Sequence, residues 1–172
     1  MKLLWIDLEM SGLELTTNVI IEVACIVTNE KLEEIETYHA IVKQPQSYLD
    51  QMDDWNKKTH KESGLLEKIP QGKDPAQVEK DLIALGKKHF GTEKIMLAGN
   101  SVGHDKSFLN YYFKDFSKML HYRLLDVSSW KIIYKDVMGV KFDKKNTHRA
   151  LDDIRESIGE LKHYMSFIKK PD

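Results

Sequence analysis

The chain has 172 residues, 41% of them hydrophobic and 31% charged, which fits one compact domain spanning 1–172. Its 26 basic and 27 acidic side chains leave a formal net charge of −1, so there is no overall positive field for coating a long polyanion, and a histone-like role is disfavoured. The single cysteine, Cys25, excludes an internal disulfide framework and a cysteine-rich zinc site. Asp7 and Glu9 interrupt the apolar start before a signal core or membrane span forms, so a cytoplasmic protein away from membranes is expected.

In chain order, Leu4 to Glu9 alternate as a strand, with Leu4, Ile6 and Leu8 on one side and Trp5, Asp7 and Glu9 on the other. Two β-branched runs, 19–27 and 35–42, complete a three-stranded meander. Residues 48–66 lack a clean period and read as an irregular, partly helical connection. Asp74-Pro75 is a cap followed by proline, and Val78, Leu82 and Leu85 follow at helical spacing, which predicts a helix to about Phe90. A short strand over 94–98, a turn at Gly99-Asn100 and a helix over 105–113 with Phe108, Leu109 and Tyr112 on its core face come next. Residues 123–125 suggest a strand before Asp126, a candidate cap for a helix bearing Trp130 and Ile133. Leu151, Ile154, Ile158, Leu161, Met165 and Ile168 form the apolar stripe of a long last helix. Strands first and helix–strand alternation later imply an α/β fold, a mixed sheet flanked by helices.

Asp7 and Glu9 share a strand face among apolar neighbours, where two carboxylates repel one another and lose hydration. A divalent cation between them is the sharper reading, and a solvated surface face is the plainer one. Asp105 opens the predicted helix, where capping is its ordinary role. Asp152 and Asp153 sit near the start of the last helix, where acids also favour the dipole. Local geometry does not choose between them as a partner for His148. Oxygen donors without cysteine suit Mg²⁺ or Mn²⁺, two-ion phosphoryl transfer is the matching reaction, and a histidine titrates near neutrality, as a general base should.

The segments LWIDLEMSGL (4–13), MDDWNKKTHKESG (52–64), GNSVGHDKSF (99–108), HYRLLDVSS (121–129) and THRALDDIRES (147–157) together resemble the oligoribonucleases. These are a branch of the exonuclease superfamily named for its four acids and catalytic histidine. The resemblance runs through nearly the whole chain in the expected order, and it implies an RNase-H-like fold. It further implies two divalent cations held by Asp7, Glu9, Asp105 and Asp153, with His148 as general base; the family spacing selects Asp153 over Asp152. The implied reaction is removal of nucleoside 5′-monophosphates from the 3′ end of short RNA, dinucleotides above all. A homodimer is implied too, with the HYR segment reaching into the partner's site.

By matching position, Leu13 wedges against the bases, Trp55 and His60 line the site, and Tyr122 stacks from the other subunit. Ser101, Arg123 and Ser128 contact the 5′ phosphate. Four of these have a plainer reading: Leu13, Trp55 and Tyr122 as core residues, Arg123 as a surface ion-pair partner. His104 stands where the family pattern has glutamine. His39, His89 and His163 lack ligand spacing, and Cys25 is expected to be buried in its strand. The competing readings are a proofreading-type DNA exonuclease of the same superfamily, a glycosidase using the paired carboxylates without metal, and a non-catalytic nucleic-acid-binding module with a broken acidic set.

Overall fold

The computed structural model describes residues 1–142 and 150–168. Strands β1 (Leu3–Met10), β2 (Ile20–Thr28) and β3 (Glu34–Ile41) form the expected antiparallel meander. Helices α1 (Gln46–Asp50), α2 (Asp54–Glu62) and α3 (Pro75–Phe90) follow. Then come β4 (Ile95–Gly99), α4 (Val102–Tyr112), α5 (Lys114–Ser117), β5 (Leu120–Asp126), α6 (Val127–Lys131), a π-helical stretch over Ile132–Val137, and α7 (Ala150–Met165). The sheet has the order β3-β2-β1-β4-β5, with β4 parallel to both β1 and β5. The mixed α/β architecture is the one expected.

The alternation of β1 divides the core. Leu4, Ile6 and Leu8 pack with Val78 and Leu82 of α3 and Phe108 and Leu109 of α4. Leu3 and Trp5 face the other way and pack with Ile154, Ile158 and Leu161 of α7. Asp7 and Glu9 continue the Trp5 face and so lie on the side that α7 covers. Trp5 is fully buried, and its indole N–H donates to Thr28 Oγ1 at 3.0 Å, which satisfies its one polar atom. Cys25 is buried in β2, as expected.

Four expectations are corrected in detail. Helix α4 begins at Val102, ahead of Asp105, because Ser101 adopts a left-handed backbone (φ +50°) and turns the chain early. Asp105 therefore lies in the first turn and is not the cap. Strand β5 is longer than 123–125 and takes in His121 and Tyr122 on an exposed edge. The connection over 114–117, given no element in the sequence, forms the short helix α5. The apolar stripe of α7 ends at Leu161: Tyr164 is buried, whereas Met165 and Ile168 are about half exposed. The Tyr164 hydroxyl donates to Glu160 at 2.9 Å. No helix among the described residues is long and apolar enough to cross a membrane.

Candidate active site

The centre of the site is the end of β1. Gly99 closes β4 against it: a Cβ there would lie 2.9 Å from the Ile6 carbonyl oxygen, so only glycine lets the Gly99-Asn100 turn approach so closely. Pairing of β1 with β4 stops at Trp5 and Ala98. Beyond it the Leu8 N–H is taken by Asp105 Oδ1 at 3.0 Å, a carboxylate from α4 substituting for a strand. A register shift between Glu9 and Met10 then bends the strand, a common device beside active sites. The bent end is held by His60 of α2, whose Nε2 lies 3.1 Å from the Met10 carbonyl oxygen. His60 is buried, and burial lowers its pKa, so the ring is neutral and donates through Nε2–H. Asp53 caps α2, accepting from Asn56 N at 2.7 Å, and the first turn presents Trp55 to solvent, 70% exposed.

Asp7, Glu9, Asp105 and Asp153 act on one another. Burial raises the pKa of Asp7 well above the ordinary carboxylate range, and the charges of Asp105, Glu9, Asp153 and Glu22 raise it further. Burial pushes Glu9 up to about 7, with Glu22, Asp153 and Asp105 adding to the effect. Burial likewise takes Asp105 up to about 7, against the lowering effect of the Leu8 N–H. Among the described residues no three His, Cys, Asp or Glu side chains stand in finished metal-holding geometry. The carboxylates repel through space without closing on one point. Asp7, Glu9 and Asp105 have no lysine or arginine partner among the described residues. Hard oxygen donors, buried at Asp105 and half-buried at Asp7 and Glu9, mutually repelling and without such a partner, are the donor set that Mg²⁺ or Mn²⁺ would satisfy, so these residues fit such an ion. Asp152 is engaged differently: it meets Arg155 Nη1 at 3.4 Å. His148 lies outside the described residues.

A cleft of about 420 Å³ opens beside Glu9, lined by Glu22, His39, His60, Asp152 and Arg155 among others. His39, given no role in the sequence, lies there with its Nε2 2.5 Å from Glu22. Leu13, Trp55 and Tyr122 are not core: Leu13 and Tyr122 are each 73% exposed and Trp55 is similarly open. Their plainer readings as core residues are thereby overturned. Arg123 has no carboxylate partner among the described residues; its guanidinium lies 5.2 Å from the centre of the Tyr122 ring. Ser101 and Ser128 meet, Oγ to Oγ, at 3.1 Å.

A family model described as "Exonuclease" matches residues 4–161. The oligoribonuclease of Shewanella sp. strain W3-18-1 is 43% identical, covering 98% of this chain and 96% of that protein. The chain belongs to the oligoribonuclease family. The oligoribonuclease of Ectopseudomonas mendocina is 42% identical over 98% of this chain and 97% of its own length. Among solved structures, the zinc-bound E. coli exonuclease I complex with single-stranded DNA superposes with a TM-score of 0.74 at 15% identity. It is matched over 96% of this chain but only 40% of that longer one, and at this identity it speaks for the fold alone. Membership makes this protein a nuclease, a phosphodiester hydrolase, of a family that generally works with divalent metal ions.

Three residues near the site were given no functional role by the sequence. Lys106, next to Asp105 on α4, donates to the carbonyl oxygens of His121 and Tyr122 at 2.9 and 3.1 Å. Asn100 Nδ2 donates to Ser157 Oγ at 2.7 Å, across 57 residues of sequence. Only spatial neighbourhood reveals these links.

Proposed function

We propose that this 3′-to-5′ exoribonuclease, a single domain over 1–172, degrades RNA of two to a few nucleotides to nucleoside 5′-monophosphates in the cytoplasm, acting as a homodimer with two Mg²⁺ or Mn²⁺ ions. The observation that carries the reading is the mutual action of Asp7, Glu9, Asp105 and Asp153 at the half-buried end of β1, the first three without a lysine or arginine partner among the described residues. These four residues would hold the ions, and the chemistry so supplied would be a more acidic attacking water and neutralised charge on the leaving oxygen.

His148 takes the water's proton, a role that a histidine suits and that its place in the family motif assigns. Leu13 and Trp55, exposed at the rim, contact bases, and each stack contributes about 1 to 3 kcal/mol. His60 fixes the bent end of β1 and so the direction of Glu9. Ser101 and Ser128, with Arg123 of the partner subunit, receive the 5′ phosphate, while Tyr122 of the partner subunit covers the 5′ base. Such a cap measures length from the far end of the substrate, so a 5′-phosphorylated dinucleotide fills every contact and a longer chain does not.

The test compares kcat/KM for 5′-phosphorylated dinucleotides and heptamers, alongside the sedimentation of the protein at assay concentration. Faster dinucleotide cleavage by a dimer supports the reading. Equal efficiency at both lengths would move the assignment toward a general exonuclease, and a preference for short single-stranded DNA would move it toward the DNA-degrading members of the superfamily.

A further inference from the structure

The phosphate-cap serines are not isolated on the surface. Ser101 N donates to Ser128 Oγ at 2.9 Å and to Asp126 Oδ1 at 3.0 Å, and Ser128 N donates to the same Asp126 oxygen at 2.9 Å. Ser128 Oγ reaches Asn100 Oδ1 at 3.4 Å, Asn100 Nδ2 donates to Ser157 Oγ at 2.7 Å, and Ser157 Oγ donates to the Asp153 carbonyl at 2.9 Å. One hydrogen-bonded chain thus runs from the cap, through Asn100, to the peptide of Asp153 on α7.

The direction of the protons is fixed by chemistry. Ser157 spends its single proton on the Asp153 carbonyl, so it accepts from the Asn100 amide. Asn100 Oδ1 therefore faces Ser128 and accepts its proton. That leaves Ser101 Oγ–H to donate to Ser128 Oγ. The longest link, at 3.4 Å, is the Ser128 hydroxyl, so it is the bond most easily given up when a stronger acceptor such as phosphate arrives.

Backbone strain marks the same place. Ser101 holds φ +50° and ψ 30°, a left-handed conformation that costs a serine energy and persists only where its surroundings enforce it. Asn100 is the residue before it, and Ser157, 5% exposed, is the buried anchor on the far side.

We infer that Asn100 and Ser157 are positioning residues for 5′-phosphate recognition: their hydrogen bond ties the strained Ser101 turn to α7 and so sets the cap at a fixed distance from Asp153. The inference rests on the cap reading above and adds the device that links the cap to the catalytic end.

The test measures kcat/KM for 5′-phosphorylated and 5′-hydroxyl dinucleotides in the parent, Ser157→Ala and Ser157→Thr, with thermal midpoints. In the parent the phosphorylated substrate is favoured. Loss of the Ser157 hydroxyl frees the Asn100 amide, and the preference falls by about three- to tenfold, the worth of one neutral hydrogen bond. The fall appears in KM for the phosphorylated substrate. Ser157→Thr keeps a hydroxyl and restores the preference. Asn100→Leu breaks the same bond from the other side, together with the weaker link from Ser128, and gives at least as large a fall, which covers the case in which Ser157→Ala does not fold. If rates for both substrates drop together and their ratio holds, the pair is a tether only and the inference is wrong. If the parent itself shows no 5′-phosphate preference, the cap reading fails first and takes this inference with it.

Discussion

Leu8 and Asp105, 97 residues apart, are joined by a hydrogen bond from the Leu8 N–H to Asp105 Oδ1 at 3.0 Å. The bond makes one carboxylate serve both the fold and the chemistry. Asp105→Asn keeps an acceptor for Leu8 but removes the charge, so it is expected to fold with near-parental stability and lose metal-dependent turnover. Asp105→Ala leaves the Leu8 N–H buried without a partner and is expected to cost about 1 to 3 kcal/mol of stability as well. Denaturant unfolding beside turnover separates the two; equal stability of both variants would remove the structural half of the role.

Glu9 gives a pH-dependent prediction. Its carboxyl, 4.5 when unfolded, titrates at about 7 in the folded chain. Between those values the folded state keeps a proton that the unfolded state has released, so the contribution of this group to stability falls as pH rises. With metal removed by chelator, Glu9→Gln is expected to match the parent at pH 4 and exceed it at pH 8 by about 3 kcal/mol. Saturating Mg²⁺ should narrow the gap at pH 8 by stabilising the parent. A chelated parent at least as stable as Glu9→Gln at pH 8 would contradict the account of the acidic cluster.

Asp152 and Asp153 are adjacent and carry the same charge, yet they face different partners. Asp153 raises the pKa of Asp7 and Glu9, whereas Asp152 meets Arg155 on the cleft wall. Asp153→Asn is expected to abolish turnover. Asp152→Asn should change stability by less than about 1 kcal/mol, as expected for an exposed ion pair, and lower the rate only moderately. The reverse order in a turnover assay would mean that the metal-ligand assignment is out by one residue.

Lys106 carries the HYR segment by its two backbone carbonyls, so its loss should be felt where Tyr122 acts. In heterodimers with one metal-dead Asp7→Asn chain, Lys106→Met on that same chain is expected to impair the other chain's site, roughly as Tyr122→Ala does there. Placed on the metal-competent chain, it should do little. An effect confined to the chain that bears Lys106→Met would overturn the crossed arrangement.

The legibility of this chain follows the range of the forces involved. The three-stranded meander and the Asp7–Glu9 face were readable because alternation is local, and α3 because Asp74, Pro75 and its apolar spacing announce it. The start of α4 was not, because a left-handed Ser101 is set by Asp126 and Ser128, more than two dozen residues away. Strand β5 was cut short because an exposed edge bearing Tyr122 and Arg123 has no buried alternation to read. The outward turn of Leu13, Trp55 and Tyr122 was invisible to local pattern, since an aromatic residue looks the same in a core and at a rim. The family motifs supplied what spacing did not, namely Asp153 over Asp152, while Lys106, Asn100 and Ser157 emerged only from contacts in space.

The most direct measurement of the central claim follows a 5′-labelled RNA heptamer through single-turnover cleavage with Mg²⁺, with Mn²⁺, and with chelator, in the parent and in Asp7→Asn. The account predicts a ladder that shortens one nucleotide at a time from the 3′ end, runs through to the labelled mononucleotide, and is absent with chelator or in a folded Asp7→Asn. Cleavage that persists in chelator, or near-parental rates in Asp7→Asn with metal present, would contradict a metal-holding acidic cluster as the seat of activity.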